Sequence, residues 1–465
     1  MGNDKNKHDV SRREFIKRLG VYTGSAWAMM SLGSFTGLSG SKCIRPSSSP
    51  LPENDETSGE MTYRINNHTK DKVSLLGYGM MRLPSKGHDT IDQDMVNQEV
   101  DYALAHGVNY FDTAPVYGRG KSEIATGIAL SRHPRSSYYV ATKLSDRGDH
   151  TLEAGKAMYE NSKKNLQVDY IDYYLLHAVG SGGMKSLNER FIDNGLLDYL
   201  CEESDRGNIR NLGFSYHGDV AVFDWLLDHN DKYKFTFVQI EMNYIDWRHA
   251  SLGKGGWKKD ADAEYLYNKC ERAGVQCVVM EPLLGGRLAK LPEQYEQILK
   301  AANPDATAAS WAFRWVGSHK NILTALSGMT TMSVLSENVK TFSPLVPCTD
   351  MENNILEKIA DGMSGMPVIP CTSCRYCMPC PFGVDIPGNF QYYNDAINEN
   401  RFPQKGTEEY NTRLVDFVNG YKTKFKPSEW ANKCMECGQC IPKCPQQIRI
   451  PTQMSRIIEF IGEDD

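Results

Sequence analysis

Tyr138-Tyr139-Val140-Ala141-Thr142-Lys143 is a β-rich run ending on a lysine, and Tyr170-Ile171-Asp172-Tyr173-Tyr174-Leu175-Leu176-His177 is a second, ending on a histidine. Between them, Glu153–Leu166 repeats its apolar residues at three- and four-residue spacing, the pattern of an amphipathic helix. Strand, helix, strand in that order predicts a parallel pair with a right-handed crossover. The alternation extends both ways. Before it come Val73–Gly77, the helical stretch Asp92–His106 and the strand run Asn109–Asp112; after it come Asn211–Phe214, Phe235–Ile240, Val275–Met280 and Leu323–Ser327. Eight such runs within residues 61–345 predict an α/β fold, a (β/α)₈ TIM barrel, which usually takes about 250 residues. An open doubly wound sheet would want a glycine-rich phosphate turn after its first strand. Leu76-Gly77-Tyr78-Gly79-Met80-Met81 is not that turn.

Barrels of this kind do their chemistry where strands end. Here the ends are Phe111-Asp112-Thr113-Ala114, followed by Val116-Tyr117-Gly118, then Ala141-Thr142-Lys143 and Leu175-Leu176-His177. An acid, a phenol, an amine and an imidazole are thus expected at one mouth. A phenol near pKa 10 is a poor acid at neutral pH, and a nearby ammonium lowers that value. Lys143, ion-paired to Asp112, is expected to do this. Tyr117 then protonates a carbonyl oxygen and His177 orients it. Alone, each has a blander reading: a satisfied structural histidine, an aspartate capping a turn. Four at successive strand ends favour chemistry.

In order and local context, Asp112, Tyr117, Lys143 and His177 resemble the catalytic tetrad of the aldo/keto reductases. The resemblance implies interconversion of a small carbonyl and alcohol with NAD(P)(H), NADP ahead of NAD. It further implies nicotinamide contacts at Ser215 and Gln239, and a cofactor wall from Gly79, Pro282, Leu283 and Gly285. Ser327, Gly328, Glu337 and Asn338 are expected to hold the pyrophosphate and adenine, with Arg287 and Lys340 as charged candidates nearby. The chain departs from the family where Tyr216 replaces an Asn after Ser215. It departs again where Met280-Glu281-Pro282-Leu283 replaces Tyr-Ser-Pro-Leu. The stacking aromatic is then absent or supplied by a residue such as Tyr244.

Towards the C-terminus, Cys371, Cys374, Cys377 and Cys380 precede Pro381, and Cys434, Cys437, Cys440 and Cys444 precede Pro445. The second run is C-x₂-C-x₂-C-x₃-C-P, the bacterial ferredoxin spacing. Three thiolates at i, i+3 and i+6 can wrap three corners of a cubane, while the fourth reaches the other cluster. The expected sets are Cys371, Cys374, Cys377 with Cys444, and Cys434, Cys437, Cys440 with Cys380, each holding a [4Fe–4S] cluster. Zinc prefers paired C-x₂-C motifs, and cysteines this close together pair poorly as disulfides. Helical patterns between the runs, such as Asn411–Val418, resemble helical ferredoxin modules. Residues 346–465 are therefore expected to form a mostly helical, ferredoxin-like iron–sulfur domain. With the barrel, this resembles the iron–sulfur-containing aldo/keto reductases over nearly everything after residue 60. Cys201, Cys270 and Cys277 read as ordinary buried thiols, and Cys348 as a boundary residue.

The 465-residue chain is 40% hydrophobic and 24% charged, ordinary for a globular protein. Its net charge is −6, yet residues 1–43 hold seven Lys/Arg against three Asp/Glu, leaving −10 on the remainder. An acidic body argues against nucleic acid or an anionic membrane as partner. Ser11-Arg12-Arg13-Glu14-Phe15-Ile16-Lys17 resembles a twin-arginine export signal, and the uncharged stretch Leu19–Ser41 is too mildly apolar to span a membrane. Residues 1–43 are therefore expected to address the folded chain to the periplasm or cell envelope, with 44–60 as linker. Membrane attachment is expected only if Cys43 carries a lipid.

A hydride is two electrons, and a [4Fe–4S] cluster passes one at a time. The leading expectation is an oxidoreductase whose clusters exchange electrons with the site or with a redox partner protein. The alternative is an exported electron-transfer protein that uses the barrel as a docking scaffold without nicotinamide turnover.

Overall fold

Residues 72–79, Lys-Val-Ser-Leu-Leu-Gly-Tyr-Gly, form two strands where the sequence pattern suggested one. In the computed structural model, described for residues 59–87, 90–145, 148–250 and 261–462, the chain bends at Leu75. Lys72–Ser74 (β2) pairs antiparallel with Tyr63–Ile65 (β1), while Leu76–Gly79 (β3) enters the barrel. The expected strand Val73–Gly77 thus straddles a hairpin and a barrel strand. Both halves are apolar because both are buried, so hydrophobicity alone could not divide them. Chain contacts separate residues 1–55 from the rest, and the described residues all lie in the second unit. The proposed signal, Cys43 and nearly all of the linker fall outside the described residues. No helix among the described residues is long and apolar enough to cross a membrane.

The remaining strands are Tyr110–Asp112 (β4), Tyr139–Leu144 (β5), Ile171–Val179 (β6), Ile209–Tyr216 (β7), Phe237–Glu241 (β8), Gln276–Met280 (β9) and Ile322–Ser327 (β10). All pair in parallel, and β10 closes onto β3 to complete an eight-stranded barrel. The helices between are capped as their sequences suggest. Asp92 accepts the Met95 N–H ahead of Gln93–Ala105, and Thr151 accepts the Ala154 N–H ahead of Leu152–Leu166.

Residues two apart on a strand share a face. Tyr110, Tyr173 and Phe237 therefore fill the lower barrel, their rings 4.9 Å and 5.2 Å apart, and Val73 of the hairpin joins them. Two residues further along each strand, the same inward rows carry Asp112 and Gln239, and β6 continues through Leu175 to His177. A packed apolar floor thus supports a polar upper layer.

The helix Asp350–Ser364 buries Leu356, Ile359, Ala360 and Met363 in the barrel's outer core. The unit bearing the cysteines therefore begins after this helix, later than the expected boundary at 345/346. The reason is amphipathicity: one apolar helical face reads the same whichever domain covers it. Beyond it, Ile386–Asn398, Tyr410–Lys424 and Ile450–Ile461 pack around Phe390, Phe417, Tyr421 and Ile457 in a separate core.

Candidate active site and cluster centre

Asp112 closes β4, and parallel register sets it opposite Ala141 of β5, two residues before Lys143. Lys143 has no solvent exposure; its Nζ donates to Asp112 Oδ1 at 2.5 Å and to the Thr113 carbonyl at 2.8 Å. Gln239 donates to the other Asp112 oxygen at 3.2 Å. Tyr117 opens the short helix Tyr117–Gly120, and its ring centre lies 4.9 Å from the Lys143 ammonium. His177 meets that ring edge-on at 6.0 Å, its Nδ1 2.5 Å from the Ser145 hydroxyl. The four expected residues are thus together at one mouth, all buried. Ser145, one step past β5, is a fifth member that strand-end reading missed, because it lies outside the predicted run.

One electrostatic expectation is overturned. Burial, reinforced by the Asp112 carboxylate, pushes the Tyr117 phenol well above 10, with a hydrogen bond from Tyr376 acting against that rise. Burial also lowers the Lys143 ammonium and raises the Asp112 carboxyl, each opposed by the other. Lys143 pairs with Asp112 and lies over the Tyr117 ring, and the direction at Tyr117 is set by its burial.

Tyr376 comes from the cysteine-bearing unit, inside Cys374-Arg375-Tyr376-Cys377. That unit caps the mouth. A cavity of about 730 Å³ is walled by Asp112, Tyr117, His177 and Gln239 below and by Cys374, Tyr376 and Cys444 above. Hydrogen bonds on two sides of the mouth help fasten the cap. The Arg82 guanidinium donates to the Thr372 carbonyl, and Gln446 Nε2 donates to Glu241 Oε1 at 2.8 Å.

The eight thiols divide into two groups. Cys377 is pushed up by burial and then by Cys374, Cys371 and Cys444; Cys444 itself responds to Cys374 and Cys371. Cys434 and Cys440 are likewise raised by burial and then by each other's group, Cys380 and Cys437 included. No disulfide joins any described cysteines. Among the described residues no three His, Cys, Asp or Glu side chains close on a single ion position, and a cubane, with its irons at separate corners, does not require it. An internal repeat supports the arrangement and is visible in the sequence, though easily passed over. Cys380-Pro381 and Cys444-Pro445 are each followed, six residues after the cysteine, by a helix opening Ile-Pro: Ile386-Pro387 and Ile450-Pro451. The N–H of Gly383 bonds the Cys380 carbonyl at 3.0 Å, and that of Gln447 bonds the Cys444 carbonyl at 3.1 Å.

Residues 75–361 match the aldo/keto reductase family. The chain belongs to that family. Residues 370–449 match the 4Fe-4S dicluster domain, so one chain joins a reductase barrel to a ferredoxin-type iron–sulfur domain. Relatives include a probable aldo-keto reductase 1 of Glycine max, 27% identical over 58% of this chain and 80% of its own length. L-galactose dehydrogenase of Arabidopsis thaliana is also 27% identical, over 59% of this chain and 86% of its own. Among solved structures, the holo form of a Bacillus halodurans aldo-keto reductase has TM-score 0.52 at 23% identity, covering 64% of this chain and 96% of its own. A Klebsiella pneumoniae aldo-keto reductase in complex with NADPH has TM-score 0.51 at 21% identity, covering 65% and 95%. These two likenesses show the fold.

The residues expected to hold a dinucleotide are arranged less favourably. Gly79, Gln239, Pro282, Leu283, Gly285, Ser327 and Gly328 line the cavity. Ser215 does not; it is fully buried, its hydroxyl accepting the Ala178 N–H at 3.0 Å. The Tyr216 hydroxyl donates to the Gly218 carbonyl, and Tyr244 packs edge-on against Trp315. Neither supplies the missing amide or stacking contact. Glu337 accepts the Thr307 hydroxyl proton at 2.6 Å, Asn338 donates to Ser327 Oγ at 3.0 Å, and Lys340 is exposed at the far end of its helix. Arg287 sits beside Asp246, Tyr244 and Cys371. At the family's hydroxyl position stands Glu281, whose carboxylate accepts the Gly285 N–H at 2.5 Å. Seven of the ten expected residues thus line the cavity, whereas Ser215, Tyr244, Glu281 and Glu337, as placed, do not serve a nicotinamide dinucleotide in the family's manner.

Proposed function

We propose that the chain is an oxidoreductase that interconverts a small carbonyl and its alcohol, with Tyr117 as the proton donor and acceptor at oxygen. The convergence of Asp112, Tyr117, Lys143 and His177 on one cavity carries this reading. Tyr117 keeps its proton until a carbonyl oxygen takes it, because burial disfavours a free phenolate. His177, steadied by Ser145, offers its other ring nitrogen to orient that oxygen. Lys143 and Asp112 neutralise one another in the barrel and fix the Tyr117 ring from beneath.

Cys371, Cys374, Cys377 and Cys444 are proposed to hold one [4Fe–4S] cluster, and Cys434, Cys437, Cys440 and Cys380 the other; the thiol grouping and the repeat support this. Clusters bound there supply one-electron transfer. We leave nicotinamide hydride chemistry out of this reading, because Ser215 and Glu337 are engaged elsewhere and Glu281 stands where the family has a hydroxyl, its carboxylate held by the Gly285 N–H. A scaffold without turnover is disfavoured by the assembled tetrad. Export by residues 1–43, and an extracytoplasmic one-electron partner protein, complete the proposal.

L-galactose dehydrogenase acts, by its name, on a sugar, and this cavity is large enough for one. The test is anaerobic turnover of a panel of aldoses and small aldehydes by cluster-loaded protein, with viologen dyes and nicotinamides each offered as redox partner. Turnover lost in Tyr117→Phe with iron retained supports the reading; turnover equal in both sinks it.

A further inference from the structure

The face on which an aldo/keto reductase would lay its dinucleotide is, in this chain, an interface with the cysteine loops. Gly285, in the loop after β9, has φ +68, and a Cβ there would stand 2.6 Å from Thr372 Cα, backbone against backbone. Arg82, which flanks Gly328, is held by the Thr372 carbonyl. Arg287, a candidate phosphate cation, is buried beside Asp246, Tyr244 and Cys371, and its Nε has no partner among the described residues. Glu281, whose carboxylate accepts the Gly285 N–H, lines the same wall. On the opposite rim, Gln446 and Gln447 approach Glu241 and Gly218. Cys374 and Cys444 themselves border the cavity that holds Tyr117.

We infer that the iron–sulfur unit has taken the dinucleotide's place on this barrel, so that substrate beside Tyr117 exchanges electrons with the cluster at Cys371, Cys374, Cys377 and Cys444, and no nicotinamide nucleotide is bound. The inference rests on the carbonyl–alcohol reading above. The balance closes without a nucleotide. Reducing C=O to CH–OH takes two electrons and two protons. Tyr117 delivers one proton to oxygen, and the second, taken from solvent water, goes to carbon, while His177 keeps the oxygen oriented. The pair of clusters holds one electron each, together the equivalent of one hydride, and a one-electron carrier protein replenishes them. Oxidation runs the same steps in reverse into an oxidised carrier.

The test is isothermal calorimetry of anaerobic, cluster-loaded protein with NADPH and NADH, paired with turnover on reduced viologen alone. No saturable nucleotide binding up to about 1 mM, the top of the usual KM range, is expected. Turnover that depends on Tyr117 is expected with viologen as sole donor. Saturable binding of either nucleotide overturns the inference, as does Tyr117-dependent turnover that requires one, although the carbonyl–alcohol reading then survives. Absence of turnover with every donor sinks that reading instead, and calorimetry still decides the nucleotide question: binding overturns the exclusion, and its absence upholds it.

Discussion

Tyr376, between two cysteines of the first run, hydrogen-bonds the phenol of Tyr117 at the barrel mouth, their ring centres 6.5 Å apart. A side chain from one domain thus acts on the phenol that we propose as the proton donor of the other.

Removing that hydroxyl takes away a donor that favours the phenolate, so Tyr117's pKa rises further in Tyr376→Phe. Hydrogen bonds to charged groups are worth about 1.5–3 kcal/mol, or about one to two pH units. The alkaline limb of the rate–pH profile moves upward by roughly that amount. An unmoved limb would show that the contact does not reach the reacting proton.

Lys143→Met leaves Asp112 buried without its cation, since both are sealed from solvent. Losing one partner of a buried pair costs about 3–5 kcal/mol, and denaturant unfolding measures it. The double variant Lys143→Met with Asp112→Asn recovers most of that stability but no activity. If the double variant is no more stable than the single, pairing is not what Lys143 provides.

Glu99, without solvent exposure, hydrogen-bonds the Tyr78 hydroxyl at 2.7 Å, and burial pushes its carboxyl from 4.5 up to about 7. A folded pKa above the unfolded one gives stability that is full below about 4.5 and lost as pH rises through about 7. That loss is on the order of 3 kcal/mol, and Glu99→Gln abolishes it. Chemical unfolding at about pH 4 and pH 8 brackets the two pKa values and checks this, and parallel losses in both proteins would refute it.

Crossed ligation makes a specific pairing of phenotypes. Cys444→Ser perturbs the same reduced-cluster EPR signal as Cys371→Ser, and Cys380→Ser the same as Cys437→Ser, because their thiols group that way. Uncrossed runs would instead pair Cys380 with Cys371.

Gly285→Val puts a branched side chain at φ +68 against Thr372. Left-handed backbone for such a residue costs about 1–3 kcal/mol, and here the clash is with main chain. The iron–sulfur unit loosens on the barrel, read as faster proteolysis between residues 364 and 371 with the barrel intact. Unchanged proteolysis would place the interface's strength elsewhere.

The barrel and its tetrad were legible because both obey short-range rules: strand and helix periods differ, and catalytic groups follow strand ends. The cysteine runs were legible because ligand spacing is itself local. The hairpin at Tyr63–Ile65 was not, since three residues carry no period. The boundary helix Asp350–Ser364 was not, since its apolar face names no partner.

By itself the sequence determined the fold class, the four residues at the mouth and the two cysteine runs. Tertiary structure alone decided that Ser215 is turned away, that burial raises the Tyr117 phenol, and that Tyr376 and Thr372 line the cavity at the barrel mouth. The physical reason is one of range. Periodicity and ligand spacing act over a few residues, whereas desolvation and steric exclusion depend on which distant segments meet, here Gly285 with Thr372 and Tyr117 with Tyr376.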